Sequence, residues 1–319
     1  MKSGINKVTF KSQGVNLAGL LFTPDNFDPA KKYPAVVFSG PFNQIKEQMG
    51  SNYGREMASR GYVFLSFDHI GYGDSEGAIR NNEKFSWKAE GIRDAVSYIR
   101  TLDFVDRNRL FGLGGCASGG YMPLVATTDK RIKAVATVSG MMSNLSSYFK
   151  SMPKEMLLQL FNMANDARQK EYETGVTEYY DALGMEAAVN DPALREGNEG
   201  YDYYMTDRAG AARYPNYTHM TVKTIMEDAP MTDAVHYAPY LYTPYIGIVG
   251  EKSFPKEGET PSPLHTGPLT QAFYDACSEP KEMVVVPGTS HVSLYDIDEH
   301  VKAAVDAMDA FFKKHTEWK

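Results

Sequence analysis

The run Leu110-Phe111-Gly112-Leu113-Gly114-Gly115-Cys116-Ala117-Ser118-Gly119-Gly120 constrains this chain more than any other stretch. An apolar segment long enough for a buried strand passes directly into glycines and small side chains, so the chain must turn sharply where the strand ends. A strand-to-helix elbow tolerates only small residues two positions before and two after its apex. The backbone there is strained, and a larger Cβ would clash. With Cys116 at the apex those positions are Gly114 and Ser118; with Ser118 at the apex they are Cys116 and Gly120, which is also permitted. The end of the strand near Gly114 favours Cys116. A thiol also suits a helix N-terminus, where the dipole and a neighbouring imidazole are expected to lower its pKa. Two plainer readings stand beside this one. Cys116 can be a small buried residue. Gly112-Leu113-Gly114-Gly115-Cys116-Ala117 also satisfies the dinucleotide pattern G-x-G-x-x-A, which requires an acid at the end of the next strand to hold a ribose hydroxyl. That strand ends Val138-Ser139-Gly140-Met141-Met142, without one.

The elbow sits within a regular alternation. Residues 8–11 and 17–22 read as two strands joined at Gln13-Gly14. Continuous apolar runs at Ala35–Ser39, Tyr62–Phe67 and Ile132–Val138 read as buried parallel strands. Between them, a helix is predicted from about Glu47 to Arg60, closed by Gly61. A second places Ile92, Ala95, Val96, Ile99 and Leu102 on one face. Strand alternating with helix predicts a parallel sheet with right-handed crossovers. From about Leu145 to Tyr242 the pattern breaks into polar, Tyr- and Met-rich segments with no buried strand. It resumes at Tyr245–Gly250 and Met283–Val286 and ends in a helix with Val301, Ala304, Val305, Met308 and Phe312 on one stripe. We therefore expect an α/β-hydrolase fold, a mostly parallel twisted sheet flanked by helices. Its core takes residues 1–144 and 243–319, and a helical cap insertion takes residues 145–242.

Composition excludes several functions. The net charge is −7 over 319 residues, with no basic face of the kind that tracks nucleic acid. No apolar run approaches a membrane span, and the N-terminus lacks an apolar signal segment. The two cysteines, Cys116 and Cys277, have no disulfide-like or CxxC spacing, so a reducing cytoplasmic compartment is the simplest expectation. No metal-ligand spacing and no cofactor motif survive inspection, so neither a metal nor a cofactor is expected. The expected partner is a small-molecule acyl substrate. Homo-oligomerisation is left open.

Of the seven histidines, His291 in Pro287-Gly288-Thr289-Ser290-His291-Val292 lies just past the last strand. Loops at the carboxyl ends of parallel strands carry function, and the chain order nucleophile, acid, histidine fits the fold. His291 is thus the expected base. Glu251, after the strand ending at Gly250, is the expected acid, with Glu257 as a weaker substitute. The expected oxyanion donors are backbone N–H groups of Ala117 and Phe42, since Pro41 has none. The glycine- and acid-rich loop Asp68–Gly77 reads as structural.

With these residues in place, the chain resembles the dienelactone-hydrolase-like α/β hydrolases, in particular the YcjY-type branch. The resemblance rests on Pro41–Gln48, Phe67–Gly77, Gly114–Tyr121, Tyr203-Tyr204-Met205-Thr206 and Pro287–Val292. It implies an eight-stranded sheet, a cap after the sixth core strand and a cysteine-centred elbow. The activity implied is hydrolysis of esters, lactones or thioesters, or acyl transfer. Three positions depart from the family: Gly40 where His is frequent, His69 where Arg usually follows Phe-Asp, and no acid after the strand ending at Val138. The expected chemistry is attack by the Cys116 thiolate on an activated carbonyl, with Tyr121, Tyr203 and Tyr204 lining the acyl pocket beside Tyr201. The tyrosines can equally be glue between cap and core. Two rival functions remain: an acyltransferase using the same site, and a non-catalytic binding protein of the same fold.

Overall fold

The structure is a computed structural model and describes residues 1–259 and 262–316. Its centre is an eight-stranded sheet in the order β1-β2-β4-β3-β5-β6-β9-β10. Chain order gives β1 (Gly4–Ser12), β2 (Val15–Thr23), β3 (Tyr33–Ser39), β4 (Val63–Phe67), β5 (Val105–Gly115), β6 (Ala134–Val138), β7 (Tyr179–Tyr180), β8 (Thr221–Val222), β9 (Tyr245–Gly250) and β10 (Lys281–Val286). Every residue of β3, β4, β6 and β9 is buried, as continuous apolar runs require of strands covered on both faces. Edge strand β1 alternates exposed and buried, and it pairs antiparallel with β2, which pairs antiparallel with β4. All pairings from β4 through β10 are parallel.

Helix α1 (Met49–Ser59) and the C-terminal helix Asp298–His315 cover one face, through Met49, Tyr53 and Met57 and through the stripe Val301, Ala304, Val305, Met308 and Phe312. Helices α2 (Phe85–Ile99), α3 (Ala117–Thr128) and the helix Gly267–Ala276 cover the other, through Ile92, Val96, Met122, Val125 and Phe273. Truncating such fully buried side chains to alanine typically removes about 2–5 kcal/mol. Because β3 lies between β4 and β5, the chain order reverses there. Ligands of open α/β sheets bind in the crevice outside the carboxyl ends at such a reversal. The loop after Ser39 and the elbow after Gly115 both open onto that crevice.

Between β6 and β9 the chain leaves the sheet. Helix α4 (Lys154–Thr174) buries only Leu157, Ala164 and Ala167, and a separate small core gathers around Ala164, Val222, Ile225, Met226 and Ala229. One expectation is corrected here. This segment does contain a buried strand, because β8 pairs antiparallel with β7 and both its residues are buried. Two residues are too few to show a period of two, so the ladder was invisible in the sequence pattern.

Candidate active site

Strand β5 ends at Gly115 and α3 begins at Ala117. Cys116 between them has φ of 47° and ψ of −112°, a strained conformation for a side chain with a Cβ. Its N–H donates to the Val138 carbonyl at 3.0 Å, and its carbonyl accepts from Gly119 and Met141, each at 2.8 Å. The turn is tight enough to need glycine on both sides. A Cβ on Gly114 would fall 2.1 Å from the Ser118 carbonyl oxygen, and one on Gly119 would fall 2.4 Å from Gly140 Cα. This is the clash that the small-residue spacing anticipates.

The half-buried Cys116 sulfur lies beside the backbone N–H groups of Ala117 and Phe42 and the Tyr295 side chain. The two amides named from the sequence therefore converge on one point. The Phe42 amide is fixed by its neighbour. Asn43 takes a left-handed backbone, with φ of 59°, and its N–H donates to buried Glu83 at 3.1 Å. Glu83 also pairs with buried Lys88 at 3.0 Å and accepts from the Tyr72 hydroxyl. The Asn43 side chain donates to the carbonyls of Thr218 and Met220 in the insertion.

Thiol acidity runs against expectation. Desolvation raises the Cys116 pKa above the ordinary thiol value, outweighing the opposing contacts of Tyr295, Ala117 and Phe42 with the sulfur. The cause is the packing around the elbow, where Tyr121, Tyr204 and Tyr295 all feel the sulfur's charge.

His291 is buried, and burial pushes its pKa down to about 4, so the ring is neutral at pH 7. Nδ1 meets Thr266 Oγ1 at 3.1 Å, and the Leu264 backbone also bonds the ring. Nε2 meets the Tyr295 hydroxyl at 2.8 Å. Cys116 and His291 thus share one neighbour, Tyr295. Glu251 does not reach the imidazole. The chain enters a 3₁₀ turn directly after β9, which leaves Glu251 exposed with its carboxylate accepting from the Gly288 N–H at 2.8 Å. Glu257 is exposed as well. The place of the acid beside Nδ1 is taken by a threonine hydroxyl.

Ser118, the alternative apex, lies inside α3 with no exposure. Its hydroxyl donates to the Gly40 carbonyl at 2.6 Å and shares a hydrogen bond with Ser39, which in turn meets His69 Nε2 at 2.8 Å. Of the tyrosines expected to line a pocket, Tyr121 is buried against Phe85, and Tyr204 accepts from Gln44 Nε2 at 3.2 Å. Tyr203 packs edge-on against Tyr295, with centroids 5.3 Å apart. Tyr201 packs only partly buried against the core. A cavity of about 350 Å³ between insertion and core reaches His291 from the Leu264 side. It is lined by Asn198, Glu199, Lys252, His265 and Ser290.

Sequence reasoning missed Tyr295, Thr266 and the Glu83–Lys88 pair. Only Tyr295 left a signal, since it follows His291 by four residues and the short helix Ser293–Asp296 brings it back over the ring. The fold also gathers one set of metal-competent side chains that sequence spacing does not reveal. Asp181, Glu186 and His219 in the insertion have ligand atoms within 4.8 Å of one another. Among the described residues no helix is long and apolar enough to cross a membrane.

The reversed strand order, the strained elbow and the paired amides define an α/β hydrolase. Within that class the chain belongs to the X-Pro dipeptidyl-peptidase (S15) family, whose model matches residues 13–181. Three relatives are similar over most of their length. The uncharacterized protein YcjY of Escherichia coli (strain K12) is 28% identical over 97% of this chain and 98% of its own. The uncharacterized protein PA2218 of Pseudomonas aeruginosa is 32% identical over 97% of this chain and 80% of its own. The crystal structure of PA2218 superposes with a TM-score of 0.83 at 30% identity, over 98% of this chain and 94% of that one. A protein named thiohydrolase from Eupenicillium brefeldianum is 24% identical over 94% of this chain and 91% of its own.

Proposed function

We propose that the protein hydrolyses carboxylic ester, lactone or thioester bonds through a covalent intermediate on Cys116, with His291 as the base. The observation that carries this reading is the Cys116 sulfur at a φ of 47°, facing the N–H groups of Ala117 and Phe42. A carbonyl carbon bonded to that sulfur would place its oxygen beside donors already in position, which is where oxyanion stabilisation is largest. The thiolate is a good leaving group, so acyl groups already activated suit it better than peptides. The name of the Eupenicillium relative, a thiohydrolase, supports a thioester as the first substrate class to test.

The test is a panel of p-nitrophenyl esters, lactones and acyl thioesters, with an Xaa-Pro p-nitroanilide included because of the family. Wild type is compared with Cys116→Ala and Ser118→Ala. Turnover of acyl substrates that disappears in Cys116→Ala and survives in Ser118→Ala is expected. Turnover that survives Cys116→Ala, or cleavage confined to the Xaa-Pro anilide, would overturn the reading. Product transferred to an added alcohol or amine faster than to water would move the protein to the acyltransferases.

A further inference from the structure

We propose that Tyr295 is a catalytic residue that carries the proton between Cys116 and His291. This deepens the proposed function and rests on it. An imidazole nitrogen has one in-plane lone pair or one N–H, never both. At His291 both nitrogens are engaged, Nδ1 with Thr266 at 3.1 Å and Nε2 with Tyr295 at 2.8 Å. With the ring's proton on Nδ1, the single lone pair of Nε2 faces the phenol. The phenol in turn is the side-chain partner of the Cys116 sulfur. A proton leaving the thiol therefore meets the phenolic oxygen before it can meet the ring.

The step balances as a double transfer. The S–H bond breaks and its proton passes to the Tyr295 oxygen, while the phenolic proton passes to His291 Nε2. The sulfur pair forms the bond to the carbonyl carbon, and the carbonyl π pair moves to the oxygen facing Phe42 and Ala117. On collapse the bond to the leaving atom breaks, and the imidazolium proton returns through the phenol to that atom. Water then repeats the sequence: its proton travels to His291, its oxygen bonds the thioester carbon, and the C–S bond breaks as the sulfur regains a proton. Burial holds the Tyr295 hydroxyl far above the ordinary phenol range, so a free tyrosinate is unfavourable and the two protons must move together. Ring packing fixes the geometry, with Tyr203 edge-on at 5.3 Å and a ring-to-ring separation of 5.5 Å to His291.

The experiment follows the p-nitrophenolate burst with p-nitrophenyl acetate, which isolates acylation. Tyr295→Phe keeps the ring and removes the hydroxyl. Its burst rate should fall by at least about 10²-fold, the usual range for removing a positioned proton-transfer group, with KM changed far less. A purely packing role would leave the burst rate near wild type. The wild-type enzyme supplies a second measurement that needs no variant. The burst rate plotted against the deuterium fraction of the solvent should be curved, as two protons in flight require. A straight line in wild type, or an unchanged burst in Tyr295→Phe, overturns the relay. If the burst also survives Cys116→Ala, the nucleophile assignment has failed; if it is lost there but unchanged in Tyr295→Phe, only the relay has.

Discussion

At the residue scale the site rests as three neutral groups. Burial holds the Cys116 thiol protonated, the Tyr295 phenol protonated and the His291 imidazole unprotonated. In the proposed mechanism, charge develops only when a carbonyl is present to receive it, in surroundings where fixed N–H dipoles act strongly. The rate of Cys116 alkylation by iodoacetamide should rise with pH through a midpoint above that of an ordinary cysteine; a midpoint near neutrality would mean a resting thiolate. His291 links stability to pH through its burial. Above the ordinary value of about 6.5 neither folded nor unfolded chain binds the proton. As pH falls from there, the unfolded chain takes it up while the folded one does not until about 4. Stability is therefore fully present above that window and lost across it, by about 3 kcal/mol in all. Urea midpoints of wild type should fall more steeply between pH 6.5 and 4 than those of His291→Asn, and equal slopes would show that His291 is not held neutral. The acid limb of the rate profile should likewise sit near 4 rather than near the ordinary histidine value.

At the element scale the loop carrying the proposed oxyanion donor Phe42 depends on buried charged groups behind it. Glu83 holds the Asn43 N–H, and Lys88, whose ammonium lies over the Tyr72 ring, neutralises Glu83 in a buried pair with exposures of 2% and 1%. Removing one member strands the other charge. Glu83→Ala should destabilise the fold by about 3–5 kcal/mol in urea denaturation. The double variant Glu83→Gln with Lys88→Met keeps an acceptor for Asn43 and should recover most of both stability and burst rate. A double variant as unstable as Glu83→Ala would show that packing, not stranded charge, governs the loss. These elements also show what the sequence could and could not reveal. The elbow was legible because a strand and its glycines are contiguous, and the Phe42 amide because Pro41 leaves only one donor at that point. Glu251 was misplaced because chain order locates a loop but not the direction of its first turn. Thr266 was illegible because it meets His291 from 25 residues away, with the helix Gly267–Ala276 and β10 between them and no periodic signal linking the two. Tyr121, Tyr203 and Tyr204 were found as aromatic content, but only packing separates Tyr204, beside the sulfur, from Tyr203, behind Tyr295.

At the scale of the whole molecule, the insertion and the sheet share the site. Arg208 of the insertion forms a two-nitrogen pair with Asp296, at 2.6 and 2.8 Å, and lies over the Tyr203 ring. Asp296 adjoins Tyr295 on the same short helix, and Gln48 donates across the boundary to the Ala209 carbonyl at 2.7 Å. These ties place the insertion's aromatic wall against the one turn of helix that carries the phenol. Arg208→Met keeps the apolar stem of the side chain and removes the fork that matches the carboxylate. It should leave the sheet intact while loosening both partners of the tie. Hydrogen exchange is expected to quicken together in residues 199–205 and 293–296, with little change in β3 or β5. Local opening of that kind exposes the sulfur, so iodoacetamide should alkylate Cys116 faster in the variant than in wild type at equal pH. Faster exchange in residues 199–205 alone, with Cys116 alkylation unchanged, would mean that the insertion moves without Tyr295 and that the ion pair does not couple the insertion to the helix Ser293–Asp296.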